Sequence, residues 1–396
     1  MRRAVIVDIV RSAFGRGRAG GLLDGLHPVD LYAHVLKALV RRAGVDPAAI
    51  EDVITGCVIQ VGEQSGNIGR QAVLAAGFPE SVAAVTLDRK CGSAQQAMDF
   101  AAQGVIAGAY DCVIAGGVEM MSLAPMRANR LGKDNEGPAF HARYPEGLVR
   151  QGVSAELIAA KWRIGRAAQD AFALESHQRA AMAEDSGVAA KAIAPIVVPK
   201  AGGALEAARD EGLRRDTTLA KLASLKPAFE DAAMAQRFPD IAWSVTAGNS
   251  SQVTDGASAM LIAEESFALR LGLKPRAAVT HFALAGDDPI FMLTAIIPAT
   301  RKLLQRAGLR IDQIDAFEVN EAFASVVLAW MRELGVDPAR VNRYGGAIAL
   351  GHPVGASGGR LAGNLLAALE ETGGRIGLQT MCESGGMANA TLIERL

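Results

Sequence analysis

The 396-residue sequence predicts an α/β protein made of two similar halves, and three observations carry that reading. Short apolar runs alternate with helical patterns through the first 120 residues. The last 120 residues repeat the plan, and a shift of 264 residues lays one set of elements over the other. Alternating strands and crossover helices bury their apolar faces as stacked layers.

In chain order, AVIVDIV (4–10) reads as a buried strand. Pro28–Ala43 follows as an amphipathic helix, with Pro28 early and Gly44 just past its end. DVITGCVI (52–59), VAAVTLD (82–88) and DCVIAGG (111–117) read as strands, with a helix over 93–108. In the second half, RAAVTHFALAG (276–286) opens with a strand and IPATRKLLQRAG (297–308) is a helix ending in Gly308. IDAFEVN (314–320) and RIGLQTMC (375–382) are strands, with a helix over 359–373 between them. At the 264-residue offset Gly44 falls on Gly308, Ile50 on Ile314, Asp111 on Arg375 and Cys91 on Gly355. Agreement of several elements at one offset points to duplication.

The stretch 121–251 breaks the pattern. It is polar and loop-rich, with helical patterns at 155–162 and 167–183 and an extended run at 193–199. Long insertions of this kind are often functional. Eight lysines and arginines lie between Arg127 and Arg166. They fit a solvated face or an anionic, phosphate-bearing ligand.

Composition removes several function classes. The 41 Lys+Arg balance 42 Asp+Glu, so no global charge draws the chain to nucleic acid or an anionic membrane. No stretch approaches the roughly 18 apolar residues of a membrane span. The first apolar run is short and interrupted by Asp8, unlike a signal-peptide core. Cys57, Cys91, Cys112 and Cys382 show no CxxC spacing. No disulfide framework and no metal site is therefore expected, and a reduced cytoplasmic setting fits.

Four turns carry the chemistry. In VTLDRKCGSAQQA, Cys91 lies between a strand and a helix N-terminus, where backbone N–H groups and the dipole favour a thiolate. A small buried cysteine is the alternative. In GGAIALGHPVGASGG (345–359), His352 sits in a glycine-rich turn from which an imidazole can act as a base. In TMCESGGMANA (380–390), Cys382 ends an apolar strand, either as a core cysteine or as a base toward a carbon acid. In NEAFAS (320–325), Asn320 caps the next helix by default, or holds a water that donates to an oxyanion.

In this order and spacing the four motifs resemble the thiolase family of acetyl-CoA acetyltransferases and 3-ketoacyl-CoA thiolases. QSGNIGRQAVLAAGFP (64–79), GVEMMS (117–122), DTTLAKLASLKPAF (216–229) and VTAGNSSQVTDGASA (245–259) agree, so the resemblance spans the chain. It implies duplicated α/β halves in five αβαβα layers with an inserted loop domain. The halves would be 1–120 plus 252–273 and 274–396, with the loop domain at 121–251. It also implies homodimers or homotetramers, acyl-CoA substrates, coenzyme A as co-substrate and no permanently bound cofactor.

The resemblance makes Cys91 the acylated nucleophile, His352 its activator and Cys382 the acid/base at the α-carbon. Asn320 would position a water that, with His352, binds the thioester oxygen. Backbone N–H groups at Cys91 and in the 383–385 turn would bind the second oxyanion. Ser251, Met292, Phe229, Phe323 and Arg214 match the family's coenzyme A contacts.

Asp88 stands where the family usually has Asn, and Ala94, Ser384 and Ala388 where it usually has Gly. Glycine often takes a positive φ that serine resists, so Ser384 bears on the second oxyanion site. Gln151 corresponds to a methionine that narrows the acyl pocket of short-chain members. VGEQS and NEAFASVVLAW look closest to bacterial degradative thiolases, including those that shorten steroid side chains. The competing readings are a biosynthetic acetoacetyl-CoA-forming enzyme, a ketoacyl synthase-like enzyme and a non-catalytic acyl-CoA-binding protein.

Overall fold

The computed structural model describes residues 2–200 and 202–396. The first half supplies β1 (Ala4–Arg11), β2 (Gly15–Arg16), β3 (Asp52–Gly56), β4 (Ala83–Leu87) and β5 (Cys112–Met120). In the insertion, β6 (Ile196–Lys200) and β7 (Gly203–Ala207) form a separate two-stranded ribbon. The chain then returns as β8 (Thr254–Glu264) before β9 (Ala277–Gly286), β10 (Ala316–Val319), β11 (Ile376–Glu383) and β12 (Met387–Arg395).

Hydrogen bonding orders these as β10-β11-β12-β9-β1-β8-β5-β3-β4, with β2 beside β8. In the first half β3 runs parallel to β4 and β5, while β8 lies antiparallel between β1 and β5. The second half repeats this: β10 is parallel to β11, and β12 lies antiparallel between β9 and β11. The two sets join at a seam of only two residue pairs, Val5 with Ala278 and Ile6 with Ala277. The expected two sheets are thus continuous along one narrow edge.

The helices Ser93–Ala107 and Ser357–Thr372 pack on each other, and each touches strands of both halves. They form the middle layer. Pro28–Ala43 covers the outer face of the first sheet and Ile296–Ala307 that of the second. Five layers follow, with apolar clusters around Leu36, around Met98 and Leu365, and around Trp330 in successive interlayer spaces. Small residues let the middle helices approach. A Cβ on Gly358 would overlap the backbone N of Gln95 and lie 2.8 Å from the carbonyl carbon of Ala94.

The predicted caps hold: Gly44 and Gly308 end corresponding helices at φ 69° and 65°. The strand expected over 52–59 stops at Gly56, because Val58 and Ile59 turn their N–H groups onto the Glu119 carboxylate. β8 and β12 were not expected as strands. All eleven residues of β8 are buried, but its opening Thr-Asp-Gly-Ala-Ser lacks an apolar run. The insertion's main helices are Gln151–Lys161 and Arg166–Asp185, and its extended run is β6. No helix among the described residues is long and apolar enough to cross a membrane.

Candidate active site

Three loops at the ends of strands and middle-layer helices build the site. Cys91 precedes Gly92, the N-cap of Ser93–Ala107. Its turn is pinned locally. Lys90 sits at φ 49°, and its N–H donates to Asp88 Oδ1 at 2.7 Å. The Arg89 N–H donates to Ser93 Oγ at 2.9 Å, and that hydroxyl donates to the Lys90 carbonyl at 2.6 Å. Asp88 therefore organises this turn from the position where Asn was expected.

Cys91 is 7% exposed, among Val58, Ile59, Met121, Val354 and Met381. Burial raises its thiol pKa, with further contributions from Cys382 and Glu383; its own backbone N–H and Lys90 pull the other way. The thiolate expected from the helix terminus is therefore not the resting form. Desolvation outweighs the dipole here, so ionisation requires a base.

His352 is buried, and its orientation is fixed at both ring nitrogens. Its Nδ1 lies 2.6 Å from Ser357 Oγ, while that hydroxyl lies 2.8 Å from the Pro353 carbonyl. A carbonyl only accepts, so the Ser357 proton goes to Pro353 and Ser357 accepts from Nδ1–H. Nε2 is left as the free base, 3.4 Å from Asn320 Nδ2. Burial, reinforced by Arg360, holds the imidazole neutral, with its pKa down at about 3. The backbone is anchored as well: the His352 N–H donates to Thr254 Oγ1 at 2.9 Å.

Cys382 lies near the end of β11, fully buried. Burial pushes its thiol up to about 12, while the Asn320 side chain draws it back. Asn320 therefore stands between His352 and Cys382. Its Oδ1 is buried without a partner among the described residues. It does not cap the following helix, whose N-cap is Phe323, so the default reading of Asn320 fails. The structure thus links His352, Asn320 and Cys382, and couples the Cys382 and Cys91 thiols electrostatically.

Comparison with known proteins decides what this arrangement belongs to. Residues 4–266 match the description "Thiolase, N-terminal domain", and residues 273–395 match "Thiolase, C-terminal domain". The chain belongs to the thiolase family. It is 46% identical to "Steroid 3-ketoacyl-CoA thiolase FadA6" of Mycobacterium tuberculosis, over all of this chain and 95% of that protein. It is 43% identical to the "Beta-ketoadipyl-CoA thiolase" of Pseudomonas aeruginosa over the full length of both. The crystal structure of a Bacillus anthracis acetyl-CoA acetyltransferase superposes with a TM-score of 0.89 at 36% identity, covering 100% of this chain and 99% of that one. This thiolase is accordingly an acyltransferase.

Of the expected coenzyme A contacts, Phe229, Phe323 and Met292 lie in the apolar cluster that also holds Cys382. The two phenylalanine rings meet edge to face at 5.8 Å. Ser251 joins them through its N–H on the Ala322 carbonyl at 2.9 Å. Arg214 lies outside this cluster, exposed, with its N–H on His177 Nδ1. Gln151 begins the helix whose Ala155, Ile158 and Ala159 reach the same cluster.

The Ser384 substitution is accommodated. The positive φ values of this turn fall on Gly385 and Gly386, at 91° and 79°, and none is required at Ser384.

Two buried acids that tie the loops together lie in motifs read from the sequence, GVEMMS and NEAFAS, but the sequence assigns neither a role. Glu119 accepts from the Val58 and Ile59 N–H groups and from Gln64 Nε2, and it abuts Gly355 of the His352 turn. Glu321 accepts from Ser176 Oγ, Asn342 Nδ2 and the Ile348 N–H, joining the insertion to both neighbouring turns. An acid inside an otherwise apolar strand was the available signal for Glu119.

Proposed function

We propose that this thiolase cleaves 3-ketoacyl-CoA with coenzyme A through an acyl-enzyme on Cys91. The chain from the neutral His352 through Asn320 to Cys382, with Cys91 electrostatically coupled to Cys382, carries the reading. His352 Nε2 takes the Cys91 proton, and the thiolate attacks the 3-keto carbon. The C2–C3 bond breaks, its electrons form the acetyl-CoA enolate, and the Cys382 thiol protonates C2. Coenzyme A then attacks the Cys91 thioester, its thiol proton returning to Cys382; the C–S bond to Cys91 breaks, and the departing Cys91 thiolate takes its proton back from His352. Splitting the transfer in two lowers each barrier.

Asn320 Oδ1 accepts from a water whose other hydrogen faces the thioester oxygen. Backbone N–H groups at Cys91 and in the 383–385 turn face the second oxyanion; one lost donor costs about 10²–10³ in rate. Phe229, Phe323, Met292 and Ser251 line the coenzyme A approach, with Arg214 at its outer end and residues 121–251 forming the covering segment. Coenzyme A is a co-substrate, and no permanent cofactor takes part.

The degradative direction rests on relatives at 42–46% identity that are named 3-ketoacyl-CoA and steroid thiolases. A cytoplasmic homodimer or homotetramer completes the proposal. Among the described residues β4 ends the sheet with one edge unpaired, Val85 on it is 44% exposed, and Phe100 on the middle helix that follows it in sequence is 43% exposed. Such an edge favours pairing with another copy.

The test is Cys91→Ala with acetoacetyl-CoA and coenzyme A. Loss of thiolysis, and of the acyl mass increment on the Cys91 peptide seen in the unsubstituted enzyme, is expected. Near-normal turnover would reject the assignment.

A further inference from the structure

Glu383 follows Cys382 in β11, and the mechanism gives it no task. Its side chain is fully buried, and neither carboxyl oxygen has a hydrogen-bond partner among the described residues. A buried carboxyl left without partners is costly, so its position calls for a reason. Side chains alternate along a strand, so Glu383 leaves β11 on the face opposite Cys382 and reaches the turn of Cys91. A Cβ on Gly92 would overlap Glu383 Oε1, so only glycine next to the nucleophile leaves room for the acid. Asn389 of β12 closes the contact, donating from Nδ2 to the Gly92 carbonyl at 3.1 Å.

We propose that Glu383 is a positioning residue of the thiolase reaction: one buried acid, shared by both cysteine turns, whose charge governs how readily the Cys91 thiol ionises. This rests on the reading of Cys91 as nucleophile. The acid is neutral at rest. Burial lifts it to about 8, against the pull of Arg89 and helped by Asp99 and Asp88. Asp99 on the middle helix is itself buried, accepts from Thr391 Oγ1 at 2.7 Å and is lifted to about 8. Lys90, on the Cys91 turn, acts on the thiol itself, whereas Arg89 acts on Glu383.

While Glu383 is protonated, a thiolate can form beside it without like-charge repulsion. Once ionised it opposes the thiolates of both Cys91 and Cys382. The nucleophile is thereby quietened on the alkaline side, where a lone thiol would become most reactive.

Glu383→Gln keeps the shape and removes the charge. The probe is iodoacetamide, with alkylation of the Cys91 peptide followed by mass spectrometry from about pH 6 to about pH 10. The variant's profile is expected to move to lower pH, with alkylation in the rising limb about tenfold faster, the effect of one pKa unit. The pH dependence of kcat should move the same way while KM for acetoacetyl-CoA stays unchanged. Superimposable profiles for the two proteins, or a change in KM alone, would overturn the proposal.

If the variant does not fold, the unsubstituted enzyme decides. Its alkylation curve is expected to be broader than a one-proton titration because two coupled groups titrate, and a simple one-proton curve would overturn the proposal. Failure of the nucleophile reading is separable: it would appear as absence of any acyl adduct on Cys91 in the unsubstituted enzyme.

Discussion

Ser357→Ala tests the geometry that leaves His352 Nε2 unprotonated. The serine hydroxyl accepts from Nδ1–H at 2.6 Å and donates to the Pro353 carbonyl at 2.8 Å. Removing it leaves a buried N–H unpaired, a penalty of about 1–3 kcal/mol. The ring escapes that penalty by moving its proton to Nε2, facing Asn320 Nδ2, where two donors then oppose each other. Either way the population with a bare Nε2 falls. If the full penalty appears in the barrier, kcat falls by about fivefold to about 150-fold. Steady-state thiolysis of acetoacetyl-CoA measures this, and Ser357→Thr, which keeps a hydroxyl, should recover part of the loss. Rates of Ser357→Ala within twofold of the unsubstituted enzyme, with unchanged thermal stability, would refute the tautomer assignment.

Gly358→Ala should destabilise the middle layer by about 1–3 kcal/mol or more, since the new methyl meets the Gln95 backbone, which cannot swing aside as a side chain would; thermal unfolding measures it. Folding stability should fall as pH rises from about 5 to about 8.5. Over that window the native chain holds protons on Glu119, lifted to about 7, and on Asp99 and Glu383, lifted to about 8, which the unfolded chain has lost. Each such proton contributes a slope of about 1.4 kcal/mol per pH unit. His352 and His177, lowered to about 3 and 4, act oppositely and only below their unfolded value of about 6.5. Urea midpoints read by circular dichroism should therefore decline from neutral to alkaline pH; a flat or rising series would contradict the buried-acid assignment.

The fold was legible where local signals agreed with the tertiary result. Pro28 and Gly44 bracket a helix because proline suits the first turn and glycine accepts the left-handed cap. The 264-residue offset worked because Gly44 and Gly308 meet the same backbone demand, as do the turns before the two middle helices. β8 was illegible for a tertiary reason. It is buried by β1, β5 and the middle layer, so small and polar residues such as Ser258 are tolerated: its hydroxyl donates to the Ala356 carbonyl. An apolar-run criterion cannot find a strand whose neighbours supply the packing.

The site divides along the same line. Residue types in tight turns marked Cys91 and His352 as candidates and left Cys382 open as a core cysteine, and the family resemblance supplied the roles of all three. What the sequence hid was the charge state of each. A helix N-terminus suggested a thiolate, yet a thiol among Val354, Met381 and Ile59 is held protonated by desolvation. Desolvation depends on what the fold brings from far along the chain, and no local window contains it. The same holds for Glu383: adjacent to one cysteine in sequence, it acts on the other through a contact with Gly92 that spans nearly 300 residues. The candidate residues were therefore legible in the sequence through the resemblance, whereas ionisation belongs to the assembled layers. It follows that substitutions aimed at tuning this enzyme's pH response belong on the buried acids around the two cysteine turns, and not on the cysteines themselves.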